Sequence, residues 1–383
     1  MTALPEGSDR PLRAVLLSKA MVVGAYQRKA ELLGAEPGIA LTVAVPPLWR
    51  DGDLVRRLER RHTRGYRLVV TPIVRPGDFH LHCYPRFGAV LDRARPDLVH
   101  VDEEPYNLAT FLALRASLRR GARTLFFTWQ NLARRYPPPF AWFERFAYRR
   151  AGGAIAGSRT AAEVLRAKGY AGRLWTIPQF GVDPDEFHPP AERGADETHD
   201  LRVGYAGRLV AAKGVDVALA AVAGLGPDVG WRLDIVGDGP ERPALEAAAA
   251  AAGVADRVRF QPWLASGAMP DFYRGLDVLV LPSRSTPSWI EQFGRVLIEA
   301  MACGVVCVGS DSGEIPHVIG DAGSVVPEGD VGALRAALAR LAASPDLRRD
   351  LAAAGRARVL ARFTMARVAS ETAAVYREVR QGV

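Results

Sequence analysis

Short apolar runs alternate along the whole chain with stretches whose apolar positions recur every three or four residues. That rhythm is how parallel strands joined by crossover helices read, because each strand is covered on both faces and each helix buries one stripe. In the first half the runs predict strands at 13–18, 40–45, 68–71, 98–101, 124–128, 154–156 and 174–177. The second half repeats the pattern at 202–205, 232–236, 258–261, 278–281, 305–308 and 324–326. The last segment, 345–380, has helical spacing and few breakers.

Between the two series lies PDEFHPPAERGADETHD, residues 184–200, whose prolines, charges and lack of periodicity predict a linker. The pattern therefore predicts a first domain over 1–183, a linker over 184–200, a second domain over 201–365, and a terminal helix over 366–383 that packs back on the first domain. A chain of 383 residues suits two domains of about 150–200 residues each. Open α/β folds bind ligands beyond the carboxyl ends of their strands, so two such domains are expected to face a cleft.

Charge changes the picture. Residues 1–190 hold 29 lysines and arginines against 18 acids, whereas the remainder holds 21 against 24. A basic first half suits an anionic substrate, a membrane surface or nucleic acid, or is simply a solvated arginine-rich face. Only four of the 50 cations are lysines: Lys19, Lys29, Lys168 and Lys213. Arginine is the default cation here, so each lysine marks a position where a compact ammonium is wanted. Cys83, Cys303 and Cys307 are too few and too scattered for a disulfide framework or a four-ligand zinc site, and read as reduced core residues of a cytoplasmic protein. No run approaches the ~18 apolar residues of a membrane span, and the start of the chain lacks a signal-peptide pattern.

Two constellations carry chemistry. In the first, Gly204-Tyr205-Ala206-Gly207-Arg208-Leu209 runs on to Lys213-Gly214 directly after the strand that opens the second domain. Glycines at a strand-to-helix turn let backbone amides approach a ligand, and the helix start favours anions. Arg208 and Lys213 add two cations able to grip linked phosphates. In the second, Glu291-Gln292-Phe293-Gly294-Arg295-Val296 precedes a helix that contains Glu299 and stops at Cys303-Gly304. The two carboxylates lie about 8 Å apart along the axis, at 1.5 Å per residue. Free amides point between them, a pattern suited to an elongated ligand with hydroxyls at both ends and phosphate in the middle. Two carboxylates near a cleft also suit glycosidase acid–base chemistry, the weaker fit beside a phosphate-binding corner.

Together with Gly237-Asp238-Gly239-Pro240 and Gly309-Ser310-Asp311-Ser312-Gly313, these motifs resemble the nucleotide-sugar domain of the family 4 retaining glycosyltransferases, which have the GT-B fold. The likeness covers about residues 201–330, with Gly181-Val182-Asp183 added at the hinge. The resemblance implies an α/β protein of two Rossmann-like parallel-sheet domains facing a cleft. It implies a metal-independent retaining transferase moving a hexosyl unit from a UDP- or GDP-sugar to a glycan or lipid-linked acceptor, without a cofactor. By similarity Arg208 and Lys213 hold the donor diphosphate, Glu291 binds sugar hydroxyls, and Glu299 binds the ribose. Arg208, Lys213 and Glu291 are then the catalytic group. The implied donor contacts extend to Gly24, Gly207, Phe293, Gly294, Arg295 and Val296. Trp263 is a stacking platform for the base or, equally, a core or rim tryptophan.

The first half matches more loosely. Lys19-Ala20-Met21-Val22-Val23-Gly24-Ala25 resembles the family's glycine-containing loop but has one glycine where relatives often have two. Glu103, Glu104 and Tyr106 follow the fourth strand, and Gln130 and Asn131 end the fifth where many members carry a histidine. These five are the acceptor-side candidates, with helix-start capping the other reading of the two acids. The amides do not titrate, which removes a histidine base. Asp51-Gly52-Asp53 and Asp183-Pro184-Asp185 read as surface turns, so no metal is expected. In 134–150, Phe140, Phe143 and Ala147 form a helical stripe flanked by arginines, read as core and, alternatively, as a face for an anionic membrane.

Other classes fit less well. Gly237-x-Gly239 lacks the third glycine of a nicotinamide-binding turn, and Lys213-Gly214-Val215 is not a P-loop. A GT-B phosphorylase or epimerase, or a non-catalytic membrane-surface relative, are the alternatives. Arginines without a recognition motif make nucleic acid an unexpected partner.

Overall fold

The computed structural model describes residues 10–52, 54–191 and 200–381, so Asp53 and much of the expected linker lie outside the described residues. The chain divides into two compact units. The first comprises Met1–Gly157, Ala161–Phe180 and Met365–Val383; the second comprises Ser158–Thr160 and Gly181–Thr364.

In the first unit β1 (Leu12–Leu17), β2 (Ile39–Val45), β5 (Arg67–Val70), β6 (Leu98–Val101), β7 (Arg123–Thr128), β8 (Gly153–Ala156) and β9 (Leu174–Thr176) form one sheet, ordered β5-β2-β1-β6-β7-β8-β9. Its pairings are all parallel. The connections carry α1 (Gln27–Gly34), α2 (Phe87–Ala94), α3 (Leu108–Leu118), α4 (Phe140–Arg150) and α5 (Arg159–Ala167). All thirteen strands expected from the apolar runs are present, their ends shifted by no more than two residues. The sequence pattern misses a small antiparallel hairpin, β3 (Leu48–Asp51) with β4 (Leu54–Arg57). Every residue of β4 is exposed, so it has no apolar run to betray it.

The second unit has six parallel strands, β10 (Leu201–Ala206), β11 (Trp231–Val236), β12 (Val258–Gln261), β13 (Val278–Leu281), β14 (Val306–Ser310) and β15 (Gly323–Val326), ordered β12-β11-β10-β13-β14-β15. Around them lie α6 (Val215–Ala223), α7 (Arg242–Ala251), α8 (Met269–Arg274), α9 (Arg295–Ala302), α10 (Ile315–Ile319), α11 (Val331–Ala343) and α12 (Pro345–Arg362). Central strands such as β6 and β13 are buried at every position, which is why they read as unbroken apolar runs.

The second unit begins at Gly181, three residues before the expected linker, and its Phe187 is buried with its ring 6.3 Å from that of Tyr273. The helical tail is two helices, α12 and then α13 (Met365–Gln381), separated by Phe363 and Thr364. α12 belongs to the second unit and α13 to the first. α13 contributes Val368, Val375, Tyr376 and Val379 to the core that β1, β2 and α1 build.

Each sheet reverses strand order once beside its first strand, between β1 and β6 in the first unit and between β10 and β13 in the second. At such a point the two following loops diverge to opposite faces and leave a crevice at the carboxyl ends. The core beneath the first crevice is unusually polar. Lys29, fully buried, donates to the Gln179 carbonyl, and burial lowers its pKa. Ser18 Oγ and Gln179 Nε2 donate to Asp102, and the buried His100 ring lies 3.0 Å from the Tyr376 hydroxyl of α13. Burial holds His100 well below its ordinary pKa, so the ring is neutral.

Tyr376→Phe keeps the ring but leaves a buried imidazole nitrogen unpaired. It is expected to cost about 1–3 kcal/mol, read as a lower melting temperature in a thermal unfolding series.

Candidate functional site

The loop after β10 starts with Gly207 and Arg208, turns through a 3-10 segment at Ala211–Lys213, and enters α6 at Gly214. Gly214 has φ +65, and a Cβ there would stand 2.0 Å from the Pro282 carbonyl oxygen, so only glycine lets this loop lie against the one after β13. That closeness brings Lys213 to Glu291. Lys213 Nζ donates to Glu291 Oε2 at 2.6 Å, and Ser283 Oγ donates to the same oxygen at 2.9 Å. The Lys213 ammonium also sits 4.7 Å from the centroid of the Trp289 ring, within cation–π range. Trp289 is held by a tight turn, with backbone bonds to Thr286 in both directions and its amide donating to Thr286 Oγ1 at 2.9 Å.

Beyond Glu291 the chain passes Phe293, which is buried with its ring 5.8 Å from that of Phe363. Gly294, at φ +77, then starts α9. Glu299 lies inside α9 and is 7% exposed, as is Glu291. Its carboxylate accepts a 2.8 Å bond from the buried Tyr273 hydroxyl and pairs with Arg295 Nε at 2.8 Å. Arg208 is exposed, as is Trp263 at 55%. Gly313, φ +55, packs so close that a Cβ would be 2.1 Å from the Glu291 carbonyl oxygen, which fixes the backbone of that residue from the β14 side. Tyr273, Ser283 and Trp289 escaped the sequence reading. Trp289, two residues before the first glutamate, was the one with a positional signal.

The first unit repeats the arrangement. Lys19, just past β1, pairs with Glu103, just past β6, across that sheet's own reversal point. The Lys19 ammonium lies 5.1 Å from the Trp49 ring centroid. Tyr84 donates to Glu103 at 2.9 Å, and His82 Nε2 stands 3.5 Å away. Burial pushes the Glu103 carboxyl up, but Lys19 and His82 outweigh it and hold the pKa at about 2. Glu103 is therefore fully buried and committed to these partners, which makes it an anchor for Lys19 rather than a group open to an acceptor.

Glu104 differs. It is half-buried and accepts from Thr128 Oγ1 and the Trp129 amide, both at 2.7 Å. Burial pushes its pKa up to about 7 against those two bonds. Tyr106 stacks on Tyr136 at 4.2 Å, and His80 and Phe140 complete an aromatic cluster. Gln130 is buried with both ends of its amide in use: it donates to the Tyr136 hydroxyl at 2.9 Å and accepts from Lys168 at 3.0 Å, and Lys168 also pairs with Glu144. Gln130 thus positions Tyr136 instead of presenting an amide. Asn131 is 9% exposed. Gly24 is buried and its amide donates to Glu59 at 2.7 Å, so that N–H is engaged by a carboxylate rather than open to a phosphate.

Asp185 donates its amide to Asp183 Oδ1, a local turn, and Asp51-Gly52 forms the tip of the β3–β4 hairpin. Among the described residues no three His, Cys, Asp or Glu side chains group closely enough to hold a metal ion. All three cysteines are free, with Cys303 and Cys307 buried and Cys83 half-buried. No described helix is long and apolar enough to cross a membrane.

Comparison with known proteins agrees with this geometry. Residues 192–358 match the family described as Glycosyl transferases group 1, and residues 35–186 match Glycosyltransferase Family 4. The chain is 31% identical to a 2-deoxystreptamine N-acetyl-D-glucosaminyltransferase of Streptomyces fradiae over 85% of its own length and 78% of that protein. It is 33% identical to a D-inositol 3-phosphate glycosyltransferase of Streptomyces bingchenggensis over 58% of its length, spanning about half of that relative (51%). Among solved structures, HepE of Anabaena in complex with UDP superimposes with a TM-score of 0.72 at 19% identity, covering 95% of this chain and 99% of that one. The chain belongs to the group 1 glycosyltransferases of family 4 and has the GT-B fold of two Rossmann-like parallel-sheet units.

Proposed function

We propose that the protein is a metal-independent retaining glycosyltransferase that moves a hexosyl unit from a nucleoside-diphosphate sugar to a hydroxyl of a glycan or lipid-linked acceptor. The observation that carries the reading is the Lys213–Glu291 pair at the reversal point of the second sheet, next to the start of α9. A donor diphosphate there meets Lys213, the exposed Arg208 and the amides opening α9, all before any charge develops. The sugar–phosphate C–O bond breaks with its electron pair leaving on the diphosphate. The acceptor oxygen bonds to the same carbon and its proton leaves with the nucleoside diphosphate. Lys213 and Arg208 stabilise the charge on the departing group, so a divalent cation is not required for that role. Glu291 orients sugar hydroxyls and Glu299 the ribose, each already steadied by its own donors.

The relatives support a nucleotide-sugar donor and a hydroxylated-ring acceptor. HepE is a UDP complex, and the two Streptomyces enzymes are named for transfer to a cyclitol phosphate and to an aminocyclitol. On the acceptor side, Glu104 and the Tyr106–Tyr136 stack supply a carboxyl and an aromatic wall, a combination suited to a hydroxylated ring.

Thermal shift of the purified chain against UDP, GDP, ADP and their sugar conjugates is expected to show a selective rise for one nucleotide, unchanged by EDTA. A flat response to all of them would remove the donor site. Lys213→Ala and Glu291→Ala are each expected to lower turnover about a hundredfold or more, with near-normal turnover contradicting the role assigned. Glu104 has a raised folded-state pKa, so between about 4.5 and 7 the folded protein binds more protons than the unfolded chain and this carboxyl's contribution to stability falls as pH rises. Glu104→Gln should therefore flatten the loss of melting temperature from pH 5 to pH 8, by at most about 3 kcal/mol.

A further inference from the structure

We infer that the face of the first unit formed by α3 and α4 docks on an anionic lipid bilayer. The two helices pack through aromatic side chains, with the Phe111 ring stacked on Phe143 at 4.7 Å and edge-on to Phe146 at 5.0 Å. Of Phe140, Phe143 and Ala147, the stripe that the spacing of α4 pointed to as core, Ala147 is buried in the core and the two phenylalanines are half-buried. The outward stripes are different residues with matching spacing. On α3 they are Leu112, Arg115 and, just past its end, Arg119; on α4 they are Trp142, Arg145 and Arg149. Each is an apolar side chain followed by arginines three and seven positions on, which places all three on one helical face. All six are exposed, with Trp142 at 59% and Leu112 at 39%.

The charge around this face is one-sided. Between Glu104 and Glu163 the chain holds ten arginines and a single acid, Glu144. That acid is buried and paired with Lys168, and Asp92 of α2 pairs with Arg120, which is not among the four arginines of these stripes. A large exposed indole beside arginines is the composition of an interfacial surface: the ring enters the headgroup boundary and the guanidinium groups meet lipid phosphates. Nucleic acid would meet the same charge but has no use for an exposed Trp142 and Leu112 on a convex helix pair. The inference stands on this surface alone and is independent of the transfer reaction.

The test is co-sedimentation of the full chain with vesicles of phosphatidylcholine, with and without phosphatidylglycerol. Binding is expected only with the anionic lipid, weakening at high salt. Arg115→Glu/Arg149→Glu is expected to lower the partition coefficient at least roughly 25-fold, about fivefold for each arginine lost. Trp142→Ala should lower it about tenfold and Trp142→Phe much less. These residues are exposed, so the variants keep the wild-type melting temperature and nucleotide-induced shift, which separates loss of docking from loss of fold or donor site. Equal recovery with and without phosphatidylglycerol overturns the inference, as do variants that bind like the wild type, or retention of RNA with no vesicle binding.

Discussion

A half-buried ammonium facing a buried carboxylate across the point where strand order reverses is the interaction around which each unit is arranged. In the second unit it is Lys213 with Glu291, and in the first it is Lys19 with Glu103. Both lysines lie against a tryptophan ring, Trp289 and Trp49. The pairing is a consequence of topology: the first strand of each sheet sits beside the strand that begins its other half, so the loops after them meet. A lysine suits such a place because its compact charge sits at the end of a flexible stem, whereas a guanidinium needs a planar partner.

The two pairs are not equivalent, and burial explains the difference. Glu103 is fully enclosed and also tied to Tyr84 and His82, so its pair is a fixed part of the crevice floor. Glu291 retains some exposure, and one of its oxygens accepts from both Lys213 and Ser283. Arg208 adds an exposed cation to the second crevice, while the first has a half-buried carboxyl, Glu104, and an aromatic wall. Electrostatics thus leaves the second crevice with an exposed cation and the first with a carboxyl beside an aromatic wall.

The remaining two lysines also serve polar networks. Lys29 lies in the core under the first crevice with Asp102, Gln179, His100 and Tyr376 around it, tying α13 into that unit. Lys168 holds Glu144 and Gln130, and through Gln130 it steadies Tyr136. An unpaired polar group in such a place is costly, so the bonds that these networks do make fix geometry beneath the crevices more than they add stability.

Much of the architecture was legible in the chain itself. Parallel strands covered on both faces must be apolar throughout, so the thirteen core strands stand out as runs, and the glycines at Gly207, Gly214 and Gly294 mark turns that no other residue tolerates. Lysine is rare in the chain, and three of the four lysines, Lys19, Lys168 and Lys213, pair with a carboxylate. Tertiary structure alone decided their partners, because Glu103 and Trp49 reach Lys19 from segments far away in sequence, as Glu291 and Trp289 reach Lys213. It also decided that Gln130 and Gly24 are engaged within the protein and that α4 buries Ala147 while exposing Trp142. Those outcomes depend on which neighbour occupies each face of a loop or helix, and helical spacing or residue type carries no record of that neighbour.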